Sequence, residues 1–236
     1  MIEAININKS FGKLKVLNNV SVATGTGQCI ALIGPNGCGK TTFIKCILGM
    51  VVPDSGTIKL KDENIASGWA YRAMIGYMPQ IGRYPENMKI GSVIEMLVDI
   101  RQTDKALDED LIKAFSLKSL YNKRMGTLSG GTMQKVSASI AFMFNPEILI
   151  LDEPTAGLDP VSAEILKEKI LVEKQKGKLF LITSHILSEL DEMASHVIYM
   201  QDGNIMFYKT MEALKADTGE ARLSRAIAQL MTNTAK

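Results

Sequence analysis

Apolar and polar positions alternate from the first residues. Met1-Ile2-Glu3-Ala4-Ile5-Asn6-Ile7-Asn8 has the two-residue period of a half-buried strand. Phe11-Gly12 turns the chain, and Val16-Leu17-Asn18-Asn19-Val20 leads towards Gln28-Cys29-Ile30-Ala31-Leu32-Ile33, an apolar run of strand length. From Thr41 to Leu48 the spacing becomes helical. Pro53-Asp54-Ser55-Gly56 predicts a turn before a strand at Thr57–Leu60, and Ile75-Gly76-Tyr77-Met78 reads as a short strand ended by Pro79. Helical spacing then runs from about residue 87 to 145. Ile90, Val93, Ile94, Leu97 and Val98 form one face, and Leu111, Ile112 and Phe115 another, with Asp108 as the expected N-cap. Ile148–Leu151 and Leu179–Ile182 read as buried parallel strands separated by a helix through 162–176. Val197–Met200, Asp202-Gly203 and Ile205–Tyr208 predict a late hairpin. The sum is a single α/β domain over 1–236 with an inserted helical subdomain near 87–145 and a short helical tail near 210–236.

Composition narrows the classes. The 27 Lys+Arg against 25 Asp+Glu leave a net charge of +2 with no basic block, so a nucleic-acid partner is not expected. The N-terminus lacks a secretory pattern, and no apolar run approaches the roughly 20 residues that cross a bilayer. The expectation is a soluble, cytoplasmic chain. Three cysteines at 29, 38 and 46 and two histidines argue against both a disulfide framework and a protein-built metal centre. The 14 methionines are scattered through apolar faces, where they fill cores.

Chemistry enters between the third strand and the first helix. Gly34-Pro35-Asn36-Gly37-Cys38-Gly39-Lys40-Thr41 fits G-x-x-x-x-G-K-[ST], the phosphate-binding loop. A strand, a glycine-rich turn and a helix N-terminus aim backbone N–H groups at phosphate oxygens. Gly34, Gly37 and Gly39 allow close approach or positive φ, Lys40 would neutralise the β- and γ-phosphates, and the Thr41 hydroxyl would ligate Mg²⁺. Asp152-Glu153 follows a buried strand, where ligands sit in open α/β sheets. The first carboxylate would hold Mg²⁺ and the second would activate the attacking water, although acids after strands also cap helices. His185 ends another apolar strand after Thr183-Ser184, and His196 is read as ending a polar helical stretch with a structural role.

The order Gly34–Thr42, Gln80, Leu128-Ser129-Gly130-Gly131, Leu151-Asp152-Glu153, Ala156-Gly157-Leu158-Asp159 and Thr183-Ser184-His185 resembles the ATP-binding subunit of an ABC transporter over nearly the whole chain. The resemblance implies a P-loop NTPase core with a mixed sheet and N-terminal antiparallel strands. It implies ATP and Mg²⁺ as cofactors, and a head-to-tail pair of subunits, most simply two copies of this chain, that sandwich two nucleotides. Phe11 would stack on adenine. Gln80 would sense Mg²⁺ and water and touch the membrane partner. Ser129, Gly130 and Gly131 would present a helix N-terminus to the γ-phosphate of the opposite copy. Glu153 would be the general base, Asp159 a dimer contact and His185 the γ-phosphate switch. A separate transmembrane permease would hold the chain against the inner face of the membrane.

Two positions depart from the family pattern. Thr132 stands where Gln is frequent, before Met133-Gln134-Lys135 in place of a more basic run. Cys38 puts a thiol beside a helix N-terminus where Ala or Ser is usual, which predicts ATP-protected alkylation, although a small residue without a chemical role is the simpler purpose. The tail resembles those of exporter-type ATPases. Tyr77-Met78-Pro79-Gln80 followed by Tyr84-Pro85-Glu86-Asn87 is similar to the copper-processing ATPases of nitrous oxide reductase maturation; multidrug, lipid, polysaccharide and haem export stay open. The alternatives are a non-transport ATPase of the same type, which would need doubled motifs or long heptads, and an interaction module, which would be expected to lose Lys40 or Glu153.

Overall fold

The computed structural model describes residues 1–102 and 106–234. In chain order the strands are β1 (Ile2–Phe11), β2 (Leu14–Ala23), β3 (Cys29–Ile33), β4 (Ser55–Leu60), β5 (Glu63–Asn64), β6 (Ile75–Met78), β7 (Ile148–Asp152), β8 (Leu179–Thr183), β9 (His196–Gln201) and β10 (Asn204–Thr210). The helices are α1 (Lys40–Ile47), α2 (Ile90–Arg101), α3 (Asp110–Ala114), α4 (Gly130–Met143), α5 (Pro160–Gln175), α6 (Leu187–Met193), α7 (Met211–Thr218) and α8 (Leu223–Thr234). They form two compact units, Met1–Arg72 with Leu179–Lys236, and Ala73–Lys178.

The first unit holds an antiparallel sheet in the order β2-β1-β4-β5. Ile2, Ala4 and Ile7 are buried; the two-residue period slips by one between Ala4 and Ile7, where Asn6 has φ 52° and the pairing with β2 is irregular. Beside it, β3 pairs in parallel with β8 and β9, and β10 returns antiparallel to β9. All five residues of β3 and all five of β8 are buried, which is why these segments read as unbroken apolar runs. The expected mixed sheet with N-terminal antiparallel strands is what the chain forms.

His196 is not at a helix end but opens β9. Its Nδ1 lies 2.9 Å from Ser195 Oγ and its Nε2 3.2 Å from Gln28 Nε2, while Tyr208 donates to Gln28 Oε1 at 3.0 Å. Helix α6 stops at Met193, and the two residues after it carry no apolar signal that would separate a helix end from a strand start. The contacts of His196 tie it to Ser195 just before β9, to Tyr208 on β10 and to Gln28 in the turn before β3.

In the second unit β6 pairs in parallel with β7, register Ile75 to Ile148 through Met78 to Leu151. Between them run α2, α3 and α4. Helix α3 starts after Glu109 rather than Asp108, yet Asp108 Oδ1 accepts from Asp110 N at 3.0 Å and so satisfies a first-turn donor. Helix α5 carries an ion cluster. Lys169 Nζ lies 2.6 Å from Asp108, 2.7 Å from Asp110 and 3.1 Å from Glu173 Oε1. Glu173, 1% exposed, also takes Lys176 at 2.7 Å; its Oε2 has no well-aligned hydrogen bond and is met by the Lys178 ammonium as an ion pair. Burial alone would push the Glu173 carboxyl up; the hydrogen bonds from Lys176 and Lys169 and the charge of Lys178 outweigh it and bring it to about 2. Burial likewise disfavours the Lys169 ammonium, and its three carboxylate partners raise its pKa instead.

Candidate functional site

The glycine-rich loop lies in the first unit, between β3 and α1. Gly34, Gly37 and Gly39 all have positive φ, at 151°, 79° and 105°. At Gly34 space forces the choice as well, since a Cβ there would sit 2.0 Å from Met200 O. Gly39 is the N-cap of α1 and brings no side chain to cap it, so the helix's first amides are left for a ligand. Phe43 N donates to Gly39 O at 2.8 Å, the first rung of the helix. Thr41 is exposed and Thr42 half-buried, while Pro35, Asn36 and Gly37 form the exposed rim.

Lys40 turns back over this loop. Its Nζ donates to Gly34 O at 2.7 Å and to Pro35 O at 3.1 Å, and lies 3.9 Å from Cys38 Sγ. The Cys38 thiol is 3% exposed. Phe11 is 51% exposed at the end of β1, an aromatic face open to a planar ring, with Lys9 Nζ 5.4 Å from its centroid. His185 is exposed between β8 and α6, in a turn where Ser184 Oγ accepts from Ile186 N at 2.9 Å.

The second unit carries the acids and the serine-glycine turn. Asp152 is the last residue of β7 and is buried; Glu153 follows it with φ 54°, a left-handed conformation that a residue with a Cβ adopts at a cost. Glu153 O accepts from Ala156 N at 3.1 Å and Gln134 Nε2 at 3.4 Å, which fixes the peptide that follows it. Gln80 is exposed two residues after β6. Ser129 caps α4: its Oγ accepts from Thr132 N at 3.3 Å and lies 2.9 Å from Thr132 Oγ1. Thr132 is thus a partner of Ser129. Gly131 must be glycine, because a Cβ there would meet Gly157 O at 2.7 Å.

Asp159 has work inside this chain. It caps α5, accepting from Ser162 N at 3.0 Å and Ser162 Oγ at 2.8 Å, and pairs with Lys135 of α4 at 2.8 Å. The Lys135 hydrogen bond, and then those from Ser162, hold its carboxyl well below the usual carboxylate range. Sequence reasoning missed Lys135 and Gln134 as supports of these loops, and the hairpin residues behind the glycine loop. An opposite charge at a helix distance from the serine-glycine turn was the available signal for the first. The hairpin contacts are made by backbone, and Gln134 donates to a main-chain oxygen, neither of which leaves a mark on side-chain pattern.

Among the described residues no cluster of His, Cys, Asp and Glu suits a metal ion by itself, and no helix is long and apolar enough to cross a membrane. Comparison with known proteins agrees with the motifs. The family described as ABC transporter matches residues 17–156. Nod factor export ATP-binding protein I of Burkholderia orbicola (strain AU 1054) is 32% identical over 209 residues, 86% of this chain and 68% of that one. The arginine transport ATP-binding protein ArtM of Bacillus subtilis (strain 168) is 33% identical over 87% of this chain and 90% of its own. A solved structure of an ATP binding subunit of an ABC transporter superposes with a TM-score of 0.90 at 26% identity, over 98% of this chain and 99% of the other. The chain belongs to the ABC transporter family. It is an ATP-hydrolysing subunit of a transport system. The similarity to copper-processing ATPases finds no support in these relatives.

Proposed function

We propose that the chain binds ATP with Mg²⁺ on the glycine loop and drives a separate membrane permease by closing and opening against a second ATP-binding subunit, a copy of itself. The observation that carries the reading is the α1 N-terminus, preceded by three glycines of positive φ and capped by no side chain, which is a ready anion cradle. Gly34, Pro35, Asn36, Gly37, Cys38 and Gly39 supply the loop, Lys40 and Thr42 meet phosphate oxygens, and Phe11 stacks on the base. Mg²⁺ would supply charge neutralisation for the phosphates, and the Thr41 hydroxyl, the Gln80 amide oxygen and the Asp152 carboxylate are of the hard oxygen type that would hold it. Glu153 accepts the proton of the attacking water, and His185 donates to the γ-phosphate. Ser129, Gly130 and Gly131 serve the nucleotide of the opposite copy; Ser129 and Gly130 are exposed, as that role needs.

A cleft of about 390 Å³ in the first unit supports a membrane partner on the same chain. Val51, Val52, Pro53, Ile65 and Tyr71 line it, and the chain neighbours Met50 and Trp69 are 61% and 77% exposed. Apolar surface of this kind suits a docked segment of permease and would hold the chain at the inner face of the membrane.

The test is a pair of substitutions. Glu153→Gln should cut ATP turnover on the order of 10²–10⁴-fold while keeping ATP binding, and should hold the protein as a dimer in ATP. Lys40→Ala should lose ATP binding. Undiminished turnover in Glu153→Gln removes the assigned base, and undiminished binding in Lys40→Ala removes the cradle.

A further inference from the structure

The glycine loop is braced from behind by the turn of the β9–β10 hairpin. We propose that Gly203 is a positioning residue for phosphate binding, acting through the peptide that joins Cys38 to Gly39. The inference rests on the reading of 34–41 as the phosphate cradle.

Gly203 N donates to Cys38 O at 3.2 Å. The described residues hold no cis peptide bond, and in a trans peptide the C=O and N–H point in opposite directions. Anchoring Cys38 O on the hairpin therefore aims Gly39 N–H away from it. Gly39 is the N-cap of α1, so this hydrogen bond fixes the plane of the peptide that enters the N-cap residue. Without it the Cys38–Gly39 plane can rotate, because Gly39 has no Cβ to resist.

The other side of Gly203 is fastened to β2. Its carbonyl accepts from Asn18 N at 2.8 Å, and Asn18 Nδ2 donates to Asn204 Oδ1 at 2.9 Å. Both backbone groups of Gly203 are thus committed, one to the loop and one to the sheet. Packing is equally tight. A Cβ at Gly203 would fall 2.7 Å from Val16 O, and a Cβ at Gly39 would fall 2.7 Å from the same oxygen. Gly203 also has φ 77°, where an L side chain is strained. The two glycines close on one carbonyl of β2 from the loop and from the hairpin, and neither tolerates a side chain.

Three chains test this. Gly203→Ala pushes the turn off Val16 O. A semisynthetic chain with glycolate at 203 replaces the amide by an ester, removing the N–H donor without adding an atom. Asp202→Asn, at a position with φ 47° that Asn adopts readily, is the control that keeps the donor. Fluorescent analogues of ATP and ADP are titrated well below the melting temperature of each chain. The ester should weaken both nucleotides by about five- to tenfold, the worth of one well-placed hydrogen bond. In ATP hydrolysis KM should rise while kcat stays near wild type. Gly203→Ala should weaken binding at least as much, and Asp202→Asn should stay within about twofold of wild type. A folded ester chain that binds both nucleotides like wild type overturns the proposal, as does a lower melting temperature with unchanged affinity. Failure of the wild-type chain to bind nucleotide would instead overturn the phosphate cradle itself.

Discussion

Replacing Glu173 by Gln keeps the volume of a buried side chain and removes its charge, which isolates the electrostatics of the α5 cluster. The carboxylate is 1% exposed and faces Lys169, Lys176 and Lys178. Lys176 is 58% exposed and returns to water at little cost. Lys169 and Lys178 are 7% and 11% exposed and cannot. Breaking a buried pair costs about 3–5 kcal/mol, because a charge is stranded rather than because a strong bond is lost. The low end applies here. Lys169 keeps Asp108 and Asp110, and Lys178 keeps a hydrogen bond to Asn145 at 2.5 Å. A fall in the Glu173 pKa from 4.5 to about 2 leads to the same figure, about 3 kcal/mol.

Urea unfolding of wild type and Glu173→Gln at neutral pH should differ by about that amount, equivalent to about 6–12 °C in melting temperature for a chain of this size. The sign of the pH dependence is fixed. The folded pKa lies below the ordinary one, so the contribution is whole above about 4.5 and is lost as pH falls towards about 2. The difference between the two proteins should close across that window. A difference under about 1 kcal/mol at neutral pH, or one that persists unchanged through acid, refutes the reasoning.

Two further outcomes follow from the loops. N-ethylmaleimide should inhibit ATP hydrolysis by alkylating Cys38, slowly because the thiol is 3% exposed, and ATP should protect; Cys29 and Cys46 are fully buried, and burial pushes the Cys46 thiol up to about 11, so neither competes. Equal inhibition of a Cys38→Ala protein would refute this. Gly131→Ala brings a Cβ to 2.7 Å from Gly157 O, displacing the first turn of α4, and should cost on the order of a hundredfold in turnover while ATP still binds; wild-type turnover in that variant contradicts the tight fit.

Much of the scaffold was legible because its signals are local. Cys29–Ile33, Ile148–Leu151 and Leu179–Thr183 are buried on both faces and so are apolar throughout, and Ile2, Ala4 and Ile7 mark one face of β1. The glycine loop was legible because positive φ and close approach leave few residues to choose from. The beginning of β9 at His196 was not, since Ala194 and Ser195 after the helix carry no periodic signal. The bond from Gly203 N to Cys38 O was beyond any pattern: it joins residues far apart in sequence through main-chain atoms that every residue has. Asp159 shows a third case. Its motif gave no sign of the bonds to Ser162 and Lys135 that it makes within the chain while it stays exposed.

The left-handed turn at Glu153 reaches beyond chemistry. A main chain that bends this way at the end of β7 strains every residue that carries a Cβ, so only glycine, which has no carboxylate to offer, would relieve it. Glu153→Gly should therefore ease the backbone there, while Glu153→Gln, which keeps the Cβ, should not.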